Sequence, residues 1–333
     1  MPVTIRDVAE QARVSVATVS RALSSPHLVN QVTRARVLAV ANELGYRPSP
    51  AARSLITGRT GNIGIVVPDL GNPFFTGVLK SVQARAREAG YAVLVGDSDE
   101  DPAAEEELVK MMAKQVDGVV LCSPGIKDAQ IVALAEHSSL TLLNRRVRGI
   151  GAALMDSAGG MRQIVAHLAE LGHRRCAYLA GPRNSWSNRE RRRGLRAAAR
   201  QHEVDIVELG PFPPRYEGGV AAADRAVDAD VTALIAYNDI MALGALARLR
   251  DRGIDVPGGL SVTGFDDLVF AAVCAPPLTT VAMPVRAAGR GAVDLLLGQL
   301  DGGEGSPRTQ LDLATHLIVR GTTAAPPRSR RKR

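Results

Sequence analysis

From Gly61 onward the chain alternates short apolar runs with longer amphipathic stretches, and this alternation restricts the fold more than any other feature. "IGIVVP", "YAVLVG", "GVVLC" and "LTLLN" form a first series; after "ALMDSAGG" come "RCAYLAG", "DIVELG", "ALIAY" and "SVTGF" as a second. A strand that is apolar at every position is covered on both faces, and helices of roughly 10–15 residues between such strands are what parallel crossovers require. The two series predict an α/β body of two lobes, each a parallel sheet. Sheets of this kind bind ligands beyond the carboxyl ends of their strands. The residues following each run are therefore the candidates.

Those positions hold acids, amides, arginines and aromatic rings. Asp69, Asn72, Phe74 and Phe75 follow the first run, and Asn144 and Arg145 the fourth. Ser187 and Arg191 follow "AYLAGP", Phe212 follows "VELG", Asn238 and Asp239 follow "ALIAY", and Asp266 and Asp267 follow "SVTGF". Rings that stack and polar groups that orient make a pocket for a polyhydroxylated or heterocyclic molecule. Loop residues also serve as turn formers and helix caps, and Asp69, Asn72 and Asp267 stand evenly between the two roles.

The front of the chain obeys a different period. Ile5, Val8, Ala9 and Ala12 share one face of a first helix, with Thr4 as N-cap and Asp7 three residues on. Ser15 caps a second helix that turns Val19 and Leu23 inward, and Asn30 caps a third whose stripe is Val37, Val40, Ala41 and Leu44. The second helix is left with Val16, Ala17, Thr18, Ser20 and Arg21 outside. Such small and hydroxyl-bearing side chains suit a helix that enters the major groove; an Ala-rich surface helix would look the same.

At 333 residues the chain exceeds one typical domain, and 46% hydrophobic with 23% charged residues is a globular composition. The charge is unevenly placed: +5 over residues 1–60, −4 over 61–319 and +6 over 320–333. A basic head is the electrostatic footprint of a nucleic-acid binder. No apolar run reaches membrane-spanning length, and "MPVTIRDVAEQA" has acidic residues where a signal peptide would be basic and then apolar, so a cytoplasmic protein is expected. Cys122, Cys176 and Cys274 are far apart and fit neither a disulfide framework nor a zinc site, and His167 and His173, six apart, do not share a helical face. No metal and no cofactor is expected.

"VTIRDVAEQARVSVATVSRAL" followed by "VTRARVLAVANELGYRPSPAARSL" resembles the DNA-binding head and hinge of the lactose-repressor/galactose-repressor (LacI/GalR) family, and the likeness continues to "HLIVRGTT". The resemblance implies a helix-turn-helix reading one operator half-site as part of a homodimer, with double-stranded DNA as partner and a near-palindromic operator. Val16 and Ala17 then stand at base-reading positions, Arg21 at base or backbone, and Thr18 and Ser20 at phosphates; Thr4, Ser15, Asn30 and Arg53 complete the DNA-binding set. Leu55 would be the wedge that a paired hinge helix drives between base steps. Arg13 stands where the family often has Gly, so a left-handed turn there would cost roughly 1 kcal/mol.

"RPSPAARSLITG" has Ser49 as N-cap, Pro50 at the first helical position and Gly58 as stop, which describes a helix of marginal length as well as a flexible linker. In the body, the resemblance assigns Arg191, Asn238 and Asp266 to a polar effector clamp and Phe74, Phe75 and Phe212 to aromatic walls, with Ser187 and Asn144 beside them; Asn144 replaces a more usual Asp. The expected division is a head at 1–47, a hinge at 48–60, a body at 61–325 and a basic tail at 326–333. Its lobes would be 61–159 plus 283–311 and 160–282 plus 312–325. "PPRSRRKR" reads as a solvated tail or as an added nonspecific DNA contact. The leucine repeat that makes tetramers in the family is missing, which leaves a dimer.

The function expected is an effector-controlled transcriptional regulator, a repressor, with a sugar, sugar-like molecule or nucleoside between the lobes. Two alternatives share parts of the pattern. A periplasmic-type binding protein would lack the basic head, and a sugar-metabolising enzyme would need a nucleophile–base pair, metal spacing or phosphate loop that the sequence does not offer.

Overall fold

Short helices pack only if small residues let their axes approach, and the head is built on that rule. The computed structural model describes residues 3–24, 28–46, 58–302 and 310–327. It divides into one unit that runs to Asn62 and takes in Gln115–Asp117, and a second formed by the remainder. In the first, α1 (Ile5–Gln11), α2 (Val16–Ser24) and α3 (Gln31–Glu43) bury Val8, Ala9, Ala12, Val19, Ala22, Val37 and Ala41. Leu23, expected to point inward beside Val19, is only half-buried. Ala22 takes the inner place, because the close crossing of α1 and α2 leaves room for a methyl group there.

The polar residues expected at the starts of α1, α2 and α3 are engaged there. Thr4 donates its N–H and its hydroxyl to Asp7 Oδ2 at 2.7 and 2.8 Å, and these bonds hold the Asp7 carboxyl below its ordinary value. Ser15 Oγ accepts the Thr18 N–H at 3.1 Å, and Asn30 Oδ1 accepts that of Val32 at 2.8 Å. Arg13 has φ of 50°, the left-handed turn that its position demanded. Hinge residues Ser49, Pro50, Arg53 and Leu55 lie outside the described residues.

The second unit carries two parallel sheets. The first has strand order β11-β5-β4-β3-β1-β2, formed by β1 (Asn62–Val67), β2 (Ala92–Asp97), β3 (Gly118–Cys122), β4 (Ser139–Leu143), β5 (Gly151–Met155) and β11 (Gln310–Leu313). Helices α4 (Pro73–Glu88), α5 (Pro102–Met112), α6 (Asp128–Ala135) and α12 (Val285–Leu300) belong to it. The second runs β7-β6-β8-β9, from β6 (Arg175–Leu179), β7 (Asp205–Leu209), β8 (Ala233–Ala236) and β9 (Ser261–Thr263). It is covered by α7 (Ser157–Glu170) with α8 (Trp186–Gln201), and by α9 (Tyr216–Val227) with α10 (Asp239–Asp251). The short helix α11 (Val269–Val273) follows, and β10 (Thr280–Ala282) pairs antiparallel with β12 (His316–Ile318).

All eight strand-like runs of the sequence lie in these sheets, but β5, β10, β11 and β12 were not among them. β10, β11 and β12 are short and pair with strands distant in sequence; β5 pairs with the adjacent β4, Thr141 opposite Gly151, and is buried throughout. The chain passes between lobes at residues 156, 283–284 and 314–315. The cut expected between 311 and 312 falls inside β11, whose parallel register continues to Leu313 opposite Met155. The cut at 159/160 falls in the first turn of α7. Thr315 ties two crossings together: its hydroxyl donates to Asp156 O at 3.0 Å, and its carbonyl accepts from Gln163 Nε2 at 2.9 Å. His173 is structural, bonded through its ring nitrogens to Thr232 Oγ1 at 2.7 Å and to Ala324 O at 2.9 Å.

Glycines allow the helix pairs to touch backbone to backbone. A Cβ on Gly219 of α9 would lie 2.0 Å from the Met241 carbonyl oxygen, and one on Gly244 of α10 would lie 2.1 Å from that of Tyr216. An exposed helical Gly→Ala change stabilises by about 1 kcal/mol. Here overpacking reverses the sign: Gly219→Ala is expected to lower stability by about 1–3 kcal/mol, read as a reduced urea midpoint of unfolding.

Candidate functional site

The cleft of the second unit is assembled from strand ends. Each lining residue comes from a loop or helix start that follows a parallel strand, so one sequence rule places them all. The cleft is lined from both lobes, with Asn72, Phe74 and Asn144 on one side and Arg191, Tyr237 and Asp266 on the other.

On the first-lobe wall, Asn72 caps α4 by accepting the Phe74 N–H at 3.0 Å, with Pro73 at the first helical position. That fixes Phe74 and Phe75, whose rings meet edge to face with centroids 5.1 Å apart. Asn144, after β4, has φ of 58°, a conformation that Asn tolerates better than most residues. Its Nδ2 donates to Ser123 Oγ at 3.2 Å and to Ser187 Oγ at 2.9 Å, the second bond crossing to the other lobe. Its Oδ1 is buried and has no hydrogen-bond partner.

Arg191 occupies the second-lobe wall, 3% exposed. Its guanidinium lies over the Phe265 ring at 3.9 Å and the Tyr237 ring at 4.5 Å, donates to the Tyr237 carbonyl and reaches Asp266 Oδ1 at 3.3 Å. The Nε is buried without a partner. Asp266 has φ of 123°, a strained value held by its N–H bond to Val281 O at 2.9 Å. Burial pushes the Asp266 carboxyl well above its ordinary range; Arg191 pulls it back and Asp239 adds repulsion. Asp239 itself is pushed up to about 6 by burial, against a hydroxyl bond from Thr280 and the N–H of Leu268.

Of the eight expected effector residues, seven line the cleft: Phe74, Phe75, Asn144, Ser187, Arg191, Asn238 and Asp266. Asn238 stands in the wall with its amide already engaged, Oδ1 capping α10 through the Met241 N–H at 2.9 Å and Nδ2 donating to Pro214 O at 2.9 Å. Phe212 does not line it. Its N–H pairs with Ala180 O at 3.0 Å, and the ring packs in a separate core with Ala222 and Ala223, 5.9 Å from the Arg225 guanidinium. Asp69 and Asp99 instead hold Arg215, which reaches them from the other lobe. Asp267 pairs with Arg320 at 2.7 Å, and Arg145 with Asp128 at 2.5 Å. In "NRERRRG" only Arg191 turns inward; Arg192 and Arg193 pair with Glu208 and Glu190.

Sequence reasoning missed Tyr237, Glu100 and Glu105 in the lining. Tyr237 could have been found as the residue directly before Asn238. Glu105 sits in "AEEEL", which reads as a solvated helix face, yet it is 4% exposed, with Oε2 accepting the Gly125 N–H at 2.9 Å and Oε1 unpaired.

In the head, Val16, Ala17 and Arg21 are exposed and Thr18 and Ser20 half-buried, so one face of α2 presents small groups and one cation. The Thr18 hydroxyl also bonds Ser15 Oγ at 2.9 Å. Arg6, Arg13, Arg34 and Arg36 are exposed on the same unit.

Residues 4–49 match the sequence profile of bacterial regulatory proteins, lacI family, and residues 165–323 match that of a periplasmic binding protein-like domain. The chain is 34% identical over 334 residues to the HTH-type transcriptional repressor CytR of Escherichia coli (strain K12), covering 97% of each. Among solved structures it is similar to the lac repressor dimer bound to operator and the anti-inducer ONPF, with 28% identity, a TM-score of 0.86, and 98% and 100% of the two chains covered. It is also similar to the transcriptional regulator CelR in its cellobiose complex, with 32% identity, a TM-score of 0.71, and 96% and 99% covered.

Glu100 provides a test of the cleft's electrostatics. Burial, then repulsion from Asp69, pushes its carboxyl from 4.5 up to about 7, while Arg215 opposes. A carboxyl raised in the folded state contributes stability below pH 4.5 that is lost as pH rises through 7. Glu100→Gln removes that loss. It is expected to stabilise the protein by about 1–2 kcal/mol at pH 8 after allowance for solvent screening, and by nothing at pH 4, in paired thermal melts.

Proposed function

The chain belongs to the lacI family of bacterial regulatory proteins, and from that premise we propose that it is a homodimeric repressor whose two heads read a near-palindromic operator while a small molecule in the cleft sets their affinity. It is a sequence-specific DNA-binding transcriptional regulator under effector control. One observation carries the effector half: Asn144 and Arg191 line one cleft from opposite lobes, and each keeps a buried polar atom, Oδ1 and Nε, without a protein partner. Such atoms cost about 1–3 kcal/mol each unless something bonds them.

On this reading Val16 and Ala17 meet base edges, where apolar tips suit a thymine methyl group, and Arg21 reaches base or phosphate. Thr18 and Ser20 are the phosphate contacts. Thr4, Ser15 and Asn30 position the helices by capping them, and their helix N-termini add backbone N–H groups toward phosphates. Arg53 and Leu55 act in the hinge, the latter as a minor-groove wedge. In the dimer two copies of α2 would stand about one DNA turn apart. The lac repressor structure, a dimer on operator, supports that assembly.

The protein has no chemistry of its own and acts in the cytoplasm, where its DNA is. A ligand that strengthens or one that releases the DNA complex fits the same linkage, because a ligand shifts the equilibrium only by unequal affinity for the two states.

Gel shifts on the DNA upstream of its own gene test this across salt. Affinity is expected to fall steeply as salt rises from 50 to 200 mM, by roughly 10³-fold or more for six phosphate contacts. Arg21→Ala should weaken binding at least tenfold. Arg191→Ala should leave DNA binding intact and remove its response to small molecules; equal binding by a chain lacking residues 1–60 would refute the assignment.

A further inference from the structure

The charges that line the cleft are unbalanced. Glu100, Glu105 and Asp266 face Arg191, and no other cationic side chain is in the wall. The Arg191 charge is already engaged by Asp266 at 3.3 Å, by the Tyr237 carbonyl and by two aromatic rings. Nearby arginines are turned elsewhere: Arg215 to Asp69 and Asp99, Arg145 to Asp128 and the Pro124 carbonyl. Carboxyl groups therefore outnumber the cation three to one, and two of the three sit on the first-lobe wall.

A cluster of acids alone would say little, but the unpaired buried atoms give it a direction. Glu105 is 4% exposed, and one of its carboxylate oxygens has no donor. Asn144 Oδ1, on the same wall and 2% exposed as a residue, is a second acceptor without a donor. The opposite wall offers one unmatched donor, Arg191 Nε. The cleft thus asks its ligand for donors on one side and a single acceptor on the other. An anionic ligand would oppose ionisation of both glutamates. A neutral polyol would satisfy the hydrogen bonds and leave both carboxyls without a cation.

We infer that the effector is a cationic polyol, an amino sugar or a comparably hydroxylated amine, whose ammonium group lies against Glu105 and Glu100 while its hydroxyls meet Asn144 Oδ1 and Arg191 Nε. The inference rests on the cleft being the effector site. Phe74, Phe75 and Tyr237 provide ring faces for the apolar side of such a molecule, and aromatic faces also favour a neighbouring cation. The two glutamates are suited to this task in a further way. Burial raises both carboxyls, Glu100 to about 7 and Glu105 upward with the backbone N–H groups of Gly125 and Ile126 and then Arg145 opposing, so a bound cation draws them into the ionised form. Asp69, Asp99, Glu105 and Arg215 are the other charges facing Glu100. Amine binding at pH 7 then releases protons.

Calorimetry on the full chain with three matched sets of ligands tests this: glucosamine, galactosamine and mannosamine; their parent hexoses; and glucuronate with glucose 6-phosphate. At least one amine is expected to bind tenfold or more tightly than its parent hexose, with neither anion binding, and with proton release seen as a dependence of the heat on buffer. Glu105→Gln should erase the amine's advantage over its parent hexose. Glu100→Gln, which retains the buried Glu105 contact, should reduce the advantage severalfold and serves if Glu105→Gln fails to fold. A hexose or an anion that binds as tightly as the amines, an advantage that survives both substitutions, or no binding by any amine overturns the inference. Gel shifts with the same ligands separate the two levels. A hexose or anion that alters operator affinity leaves the effector site standing and removes the charge selection; an amine that binds without altering it does the reverse.

Discussion

A guanidinium 3% exposed is the constraint around which the body is arranged. Taking a charge out of water costs several kcal/mol unless partners replace the solvent. Arg191 gains a carboxylate, a backbone carbonyl and two aromatic faces, all from the ends of two strands. Tyr237 ends β8, and Phe265 with Asp266 end β9, so satisfying one side chain fixes the mouth of the second sheet. Asp266 accepts a strained backbone to do this, and the chain tolerates it because Val281 holds its N–H and Asp239 braces the neighbouring loop through Leu268 and Thr280.

The same economy of contacts governs how the lobes meet. Few groups cross the cleft, and they are polar: Asn144 with Ser187, and Arg215 with Asp69 and Asp99. Exposed ion pairs are worth about 0–1 kcal/mol, so the Arg215 pairs add little to the cohesion of the lobes. The crossings at 156, 283–284 and 314–315 are tied by Thr315 and Gln163, and one buried apolar cluster continues past them, with Phe74, Leu143 and Met155 of the first lobe and Met161, Tyr178 and Phe265 of the second. The cleft rim is therefore joined by a few polar contacts, while the crossings are backed by apolar core.

Much of this was legible in the residues. The unbroken apolar runs indicated the parallel sheets, because a strand buried on both faces cannot afford polar alternation; of the thirteen strand-end residues that the ligand rule for such sheets offered, eight line the cleft, and of the eight that the family resemblance assigned to the effector, seven do. Phe212 failed because the rule identifies a strand end but not the face to which the next side chain turns; its N–H bond to Ala180 decided that. Glu105 was missed for the opposite reason, since a Glu among glutamates on a helix reads as solvated until the loop after β3 is folded over it. Strands β10, β11 and β12 depend on partners far along the chain, and a stretch of three or four residues carries no period by which to recognise it.

The unpaired atoms also bear on how strong the switch needs to be. Allosteric coupling of about 1–3 kcal/mol changes affinity by roughly 5–150-fold. Each buried polar atom left without a partner costs about 1–3 kcal/mol, and more if it carries charge. Asn144 Oδ1 belongs to one lobe and Arg191 Nε to the other, so on the proposed reading a molecule that bonds both would couple its binding to how the lobes stand. One or two such atoms satisfied in one arrangement and not in another already provide the full coupling energy. The cleft therefore needs no extensive rearrangement of its core to set the operator affinity of the head; a difference confined to a few hydrogen bonds at strand ends is sufficient.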